Sequence, residues 1–187
     1  MKEYKIRGTN YKIRYNDFSG ELTPILFIHG LGCAGSFDYV EVASKLGFTH
    51  RIILVDLLGA GYSDKPLSFK YTVTSHAGYL KEFIDDLDLD KIIIFGHSLG
   101  GPIAIELSNL LKDRIYKLIL SESNLDPSSH GAASFEIGHL DESDLENSFK
   151  IKLMEYERSG NTMWVATLKN WLPKAAFEVS INAVSGG

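Results

Sequence analysis

Ser98 has the most chemistry gathered around it. It lies in Gly96-His97-Ser98-Leu99-Gly100, directly after the apolar run Ile92-Ile93-Ile94-Phe95 and directly before an apolar-periodic stretch. A serine with glycine two places to either side, set between a strand and a helix, marks a tight turn that lifts the hydroxyl clear of the backbone. The turn has no room for side chains at its flanks, so positions 96 and 100 call for glycine. The hydroxyl then stands above the end of a sheet, beside the positive end of a helix dipole. That is the setting of a nucleophile. Acyl transfer through serine needs further parts: a base to take the proton, an acid to orient the base, and two N–H donors to meet the oxyanion. The N–H of Leu99, at the helix start, is the expected first donor. The second is expected from the loop after the run 25–28, where Gly30-Leu31-Gly32 lets backbone amides come close, and the N–H of Leu31 is the choice.

Other chemistries find less support. The histidines at 29, 50, 76, 97, 130 and 139 include no pair spaced like metal ligands with a third partner nearby, so no metal site is expected. His97 adjoins Ser98 in sequence, but such a turn points it away, to pack under the sheet end. His50 and His76 read as surface or helix-start residues, and His130 and His139 fall in a polar stretch. Gly59-Ala60-Gly61 after Asp56 hints at a dinucleotide loop, but position 64 is Asp rather than a third glycine. No Gly-x4-Gly-Lys-Ser/Thr is present, which excludes a P-loop. Cys33, the single cysteine, reads as small-residue packing; with no internal disulfide to form, a reducing cytoplasm is the expected location. A formal net charge of -5 without a Lys/Arg cluster argues against nucleic acid as a partner. Met1–Arg7 contains no apolar leader run, and no stretch approaches the ~20 apolar residues of a membrane span, so no membrane partner is expected.

The elements that must position Ser98 follow from periodicity. Tyr4–Arg7 and Tyr11–Tyr15 alternate apolar and polar around Gly8-Thr9-Asn10, as an antiparallel hairpin with one solvated face does. Residues 16–20 read as a turn. Pro24–Ile28 is an unbroken apolar run that suits a strand buried on both faces, and the largely apolar Arg51–Asp56, Lys91–Phe95 and Tyr116–Ser121 read as further buried strands. Between them, helical spacing appears at Phe37, Val40, Ala43 and Leu46. It returns at Val73, Ala77, Leu80 and Leu87, with Thr72 or Thr74 as N-cap, and again over Leu99–Leu111. Pro102 falls in the first turn of that last helix, where its missing N–H has no intrahelical acceptor to serve. Alternating strands and helices over 24–121 imply right-handed crossovers, a mostly parallel sheet and helices on both faces. After Asn124 the alternation stops. Residues 126–139 read as a loop. Three apolar helical stripes follow, through Leu145, Phe149, Leu153 and Tyr156; through Trp164, Leu168 and Trp171; and through Phe177, Ile181 and Val184. Acidic residues at 141, 142, 144 and 146 suit a helix start.

His29-Gly30 after one strand, Asp56 with Gly59-Ala60-Gly61-Tyr62-Ser63-Asp64 after the next, and Gly96-His97-Ser98-Leu99-Gly100-Gly101 after a third together resemble the α/β-hydrolase family. Their order and spacing resemble its single-chain esterase and peroxidase-like serine hydrolases with a helical cap. The resemblance covers about residues 4–185. It implies an α/β-hydrolase core over 1–125 and a helical cap over 126–187. It also implies Ser98 as nucleophile, the N–H groups of Leu31 and Leu99 as oxyanion hole, and His29 as a structural residue of the oxyanion loop. Glu122, at the end of the strand 116–121, sits where some members place their acid; a carboxylate bound to loop backbone, or a pocket wall, is the alternative. Trp164 and Phe135 are the candidate substrate-binding aromatics of the cap, with core packing the equal alternative for its large aromatics. The implied reaction is hydrolysis of a small-molecule carboxylic ester or similar acyl substrate, with no cofactor.

In that family the acid and then the histidine follow the serine, the histidine on a loop after the final strand. After Phe177, Ile181 and Val184 this sequence offers no further strand–helix pair and no glycine-histidine loop. The expectation is therefore that the C-terminal strands, their helices and the catalytic histidine are absent, and that activity is little or none. Two alternatives accompany it. One is a non-catalytic chain that binds a ligand under its cap or self-associates through an open sheet edge at 116–121. The other is a hydrolase completed by a second, C-terminal chain.

Overall fold

A computed structural model describes residues 1–46, 49–123, 125 and 133–185, with side chains excepted at 133 and 182–185. The first expected hairpin forms from β1 (Lys2–Lys5) and β2 (Lys12–Phe18). β2 runs to Phe18, through most of the expected turn at 16–20. Pairing decides this, because Asn16, Asp17 and Phe18 lie opposite Leu54, Ile53 and Ile52 of β4 (His50–Asp56). The apolar runs give β3 (Leu22–Ile28), β5 (Ile92–His97) and β6 (Ile115–Ser121). Together they form a six-stranded sheet in the order β1-β2-β4-β3-β5-β6, parallel from β4 to β6 and antiparallel at the β1–β2–β4 end.

Helices cover both faces, as alternate strand residues require. Ile25, Phe27, Ile52, Leu54 and Ile93 point to one side, where they meet Ala43 of α2 (Val40–Leu46) together with Tyr39 and Leu46. Leu26, Ile28, Ile53, Val55, Ile92 and Ile94 point to the other, onto α3 (Val73–Asp86) and α4 (Gly100–Leu111). Thr72 caps α3 by accepting from the Ser75 N–H at 3.1 Å, and Pro102 is third in α4, where no intrahelical bond is lost. The helical stripe at 37–46 is less regular than its spacing suggests. The helix breaks at Tyr39 between α1 (Gly35–Asp38) and α2, leaving Phe37 and Val40 exposed.

β6 departs furthest from expectation. Read as a buried strand, it lies at the sheet edge with Tyr116 66% exposed and Ile119 and Leu120 more than a third exposed. Its apolar residues have β5 on one flank and no strand among the described residues on the other. The loop expected over 126–139 is described only from 133, where α5 (Ala133–Gly138) forms instead; His130 lies outside the described residues. The three later stripes become α6 (Leu145–Arg158), α7 (Thr162–Asn170) and α8 (Pro173–Ser185). They do not bury a core of their own. Phe149, Leu168, Trp171, Ala175, Ala176 and Val179 join the same apolar cluster as Ile28, Leu58 and Leu99. No described helix is long and apolar enough to cross a membrane.

Candidate active site

Directly after β5, Ser98 adopts φ = 49°. In this left-handed region a side chain costs about 1–2 kcal/mol, because Cβ approaches the carbonyl oxygen. Neighbouring bonds hold it there. The Ser98 N–H donates to the Ser121 carbonyl of β6 at 2.8 Å, and the Ser98 carbonyl accepts from the Gly101 N–H at 2.9 Å. The glycines are needed for space. A Cβ on Gly96 would lie 2.7 Å from Ala104 Cβ, one on Gly100 would collide with the Ile28 carbonyl, and one on Gly101 would collide with Ser123. The result is a strained serine on a rigid corner.

The loop after β3 passes directly alongside. A Cβ on Gly30 would fall 2.9 Å from Ser98 Cβ, so only a bare backbone can approach this closely. His29 anchors that loop from below. It is fully buried, and its Nε2 accepts from the Leu57 N–H at 3.0 Å, which leaves the proton on Nδ1 to donate to the Gly30 carbonyl at 2.9 Å. Burial holds its pKa below the ordinary histidine value, so the ring is neutral. The Gly30 carbonyl also accepts from the Cys33 N–H at 3.2 Å. Two donors thus fix the plane of the peptide joining Gly30 to Leu31. In a trans peptide the N–H points opposite the C=O, so the Leu31 N–H is turned away from both donors. Leu99 stands at the N-cap of α4. Among the described residues, no hydrogen-bond acceptor engages the N–H of Leu31 or Leu99.

Asp56 organises the next loop. Buried at the end of β4, it accepts from the Ser36 N–H (2.8 Å), the Ser36 hydroxyl (2.9 Å) and the Tyr62 N–H (3.0 Å). A Cβ on Gly61 would press into its carboxylate. The carboxylate is therefore structural, and this explains the 59–64 stretch better than a nucleotide does.

The remaining site residues are placed as follows. His97 turns to the face opposite α4, where its Nδ1 is 2.9 Å from the Tyr39 hydroxyl. Glu122, with φ = 48° and a side chain 87% exposed, comes within 3.8 Å of His97 Nε2. Phe135 stacks on His139, whose Nδ1 is 2.7 Å from the Phe135 carbonyl. Trp164 stacks on Tyr156 of α6. The aromatic that reaches the loop beside Ser98 is Trp171, set edge-on to His29 with centroids 5.9 Å apart and donating Nε1–H to the Cys33 carbonyl at 3.3 Å. Periodicity joins Trp171 to the stripe of Trp164 and Leu168, yet it is extended (φ −109°, ψ 146°) and off the helix. The available signal is Pro173, which drives the chain before it away from helix. Cys33 is partly buried, and burial pushes its thiol up to about 11, consistent with packing rather than reactivity.

His76 lies in the first turn of α3, as a helix-start residue, and not at the surface. It is fully buried in α3, with Nδ1 2.7 Å from the Tyr79 hydroxyl, which accepts in turn from the Leu58 N–H at 3.1 Å. Burial pulls its pKa down to about 3.

Residues 23–147 match the model of the alpha/beta hydrolase fold, and the chain belongs to that family. It is 34% identical over 112 residues to haloalkane dehalogenase 2 of Mycobacterium tuberculosis, covering 60% of this chain and 38% of that protein. It is 36% identical over 113 residues to 2-hydroxy-6-oxononadienedioate/2-hydroxy-6-oxononatrienedioate hydrolase 1 of Pseudomonas putida, covering 58% and 39%. The chain thus spans about two fifths of the length of these curated relatives. Among solved structures, an esterase from Exiguobacterium antarcticum superposes with TM-score 0.72 at 22% identity, over 96% of this chain and 71% of that one. Est816, described as an N-acyl homoserine lactone degrading enzyme, superposes with TM-score 0.66 at 25% identity, over 93% and 69%. The mixed sheet with helices on both faces is the fold of this hydrolase family.

Proposed function

We propose that the chain is a serine hydrolase acting on carboxylic esters or similar acyl substrates through an acyl-enzyme on Ser98. The observation that carries this reading is the approach of the bare Gly30 backbone to a strained, glycine-flanked Ser98. The N–H groups of Leu31 and Leu99 are the oxyanion donors. Residues 126–187 act as the cap over a core of 1–125, and no cofactor enters the reaction. The relatives carry several chemistries in their names, and the side chain at 98 chooses among them. A serine alkylated by a haloalkane would carry an ether, which water does not cleave. An acylated serine carries an ester, which water does. An acyl substrate therefore suits this chain better than an alkyl halide.

The base is the part that the described residues do not supply. His29 is held by Gly30 and Leu57, His50 by Thr49, His76 by Tyr79, His97 by Tyr39 and His139 by the Phe135 carbonyl. Glu122 as acid would need a ring to orient, and the ring beside it is His97. Removing the triad histidine costs on the order of 10⁶ in rate in a serine protease, so slow turnover is expected if Ser98 works with the described residues alone. The test compares hydrolysis of a short aryl ester by the chain and by Ser98→Ala across pH 5–9. The expected result is a small Ser98-dependent rate that climbs about tenfold per pH unit without levelling near 6.5, since serine itself must ionise. Equal rates in the two proteins would end the serine reading. Fast, Ser98-dependent turnover with a plateau would end the claim of low activity.

A second reading, association with another copy of the chain, has the exposed edge of β6 behind it. Antiparallel pairing about a two-fold axis at Leu118 would set Tyr116 against Leu120 and Lys117 against Ile119, with no like charges opposed. Sedimentation at tens of micromolar would show a dimer lost in Ile119→Lys; a monomer at all concentrations would dismiss it.

A further inference from the structure

The segment joining α7 to α8 makes contacts that a simple connection does not need. Its backbone clamps the loop after β4: the Gly61 N–H donates to the Asn170 carbonyl at 3.1 Å, the Leu172 N–H donates to the Gly59 carbonyl at 2.8 Å, and Ala60 and Trp171 pair as an isolated antiparallel bridge. Its side chains reach the neighbouring loop. Trp171, 4% exposed, holds the Cys33 carbonyl through its indole N–H and sets its edge against His29. One turn earlier, Thr167 fills the space beside Gly32, which has φ = 83° and where a Cβ would collide with the Thr167 side chain. His29 already ties these two loops together through Leu57. The strap and the histidine thus grip the same pair of loops from above and below.

We propose that residues 167–172 are a positioning strap for the oxyanion loop, with Trp171 as its principal residue. This rests on the reading of Leu31 as an oxyanion donor. The Leu31 N–H shares a peptide plane with the Gly30 carbonyl, and that plane is held by His29 at one end and by the 30–33 turn at the other. Trp171 fixes the far end of the turn at the Cys33 carbonyl. When that bond is removed the turn can loosen, the Gly30–Leu31 plane can rotate, and the donor moves off the oxygen it should meet. A misplaced donor weakens the transition state and leaves ground-state binding nearly unchanged. Trp171 touches neither Ser98 nor the acyl group in this scheme, so it is a positioning residue.

The experiment uses Trp171→Phe in the full chain, which keeps an aromatic ring and removes the N–H. Peptide-resolved hydrogen exchange reads the loops directly and does not depend on turnover. The expected result is an increase of about tenfold at Cys33 and Leu57, the amides that donate within the gripped loops, with β3, β4 and β5 exchanging as in the parent. No change at Cys33, or a uniform rise across the sheet, would overturn the proposal, since a merely structural tryptophan would loosen everything together. The second readout is acylation by the aryl ester. Its maximal rate should fall about tenfold at an unchanged half-saturating concentration. A raised half-saturating concentration with an unchanged maximal rate would overturn the proposal too. Ser98→Ala separates the two claims: if it is acylated as fast as the parent, the serine reading fails, while the exchange result still decides the strap. Should Trp171→Phe not fold, Thr167→Ala removes the packing against Gly32 and should loosen the same amides to a smaller extent.

Discussion

β5 and β6 are neighbouring parallel strands, both read as buried, and they meet different fates. In β5, Ile92 and Ile94 are fully enclosed and Ile93 nearly so. In β6, Tyr116, Ile119 and Leu120 are exposed. One residue distinguishes the runs: Lys117 interrupts β6, whereas Ile92–Phe95 of β5 carries no polar residue. What also differs is the company. β5 has β3 on one flank, β6 on the other, and packed helices above and below; among the described residues β6 has a strand on one flank only. An apolar run states what a strand can tolerate, and its neighbours settle what it buries. The position of Ser98 follows the same logic. It leaves the enclosed strand, and its N–H bonds the end of the open one through the Ser121 carbonyl.

Truncations on the two strands should separate them most clearly. Ile94→Ala removes a fully buried side chain and is expected to cost about 2–5 kcal/mol in denaturant unfolding, whereas Ile119→Ala should cost less than about 1 kcal/mol. Equal costs would mean that β6 is covered in solution and the contrast is false.

Acid tests the enclosed half through its histidines. His76 sits at about 3 and His29 is also lowered, both through burial. Between the ordinary value near 6.5 and the depressed one, the unfolded chain binds the protons that the fold refuses. The His76 contribution is therefore fully present above about 6.5 and is lost as pH falls toward about 3, at up to about 1.4 kcal/mol per pH unit, and His29 acts in the same direction. Chemical denaturation at a series of pH values should show this slope, reduced in His76→Phe. A flat profile from pH 7 to 4 would contradict the buried, neutral assignment.

At the junction of the two strands, Ser98→Gly should relieve the left-handed strain and raise stability by about 1 kcal/mol. A loss of stability would show that the Ser98 side chain contributes more to the fold than its backbone costs.

Much of the fold was legible because its signals are local. The strand–turn–helix corner at Gly96–Gly100, the cap at Thr72 and the tolerance of Pro102 each depend on a few consecutive residues and follow from steric and hydrogen-bonding rules. The parallel sheet followed from alternation. The misreadings concern what lies across space. His76 is at a helix start, one of its two readings, but the surface alternative fails because the ring packs among Phe69, Tyr71 and Tyr79, two of which lie outside the helix. Trp171 was grouped with a helix whose last turn it does not join. Its contacts with Cys33 and Ala60 span more than a hundred residues, and no periodicity encodes them. Trp164 and Phe135 are not among the misreadings: they stack on Tyr156 and His139, as a core or a pocket-lining aromatic can. The glycines were read correctly, yet for a partial reason. Gly96 and Gly100 serve the turn, and they also let α4 press against the carbonyl of Ile28, a contact that appears only once the strands are ordered.

The central claim is that Ser98 carries the acyl group. It is tested most directly by incubating the chain with an excess of an aryl acetate at pH 8.5, digesting it, and mapping the acetyl group by mass spectrometry. An aryl oxide leaves without protonation, so the measurement does not wait on a general acid. The account predicts acetyl on Ser98, absent in Ser98→Ala, accumulating over hours because the base is not among the described residues. Acetyl on lysines alone, in the same pattern and yield in parent and variant, would contradict it.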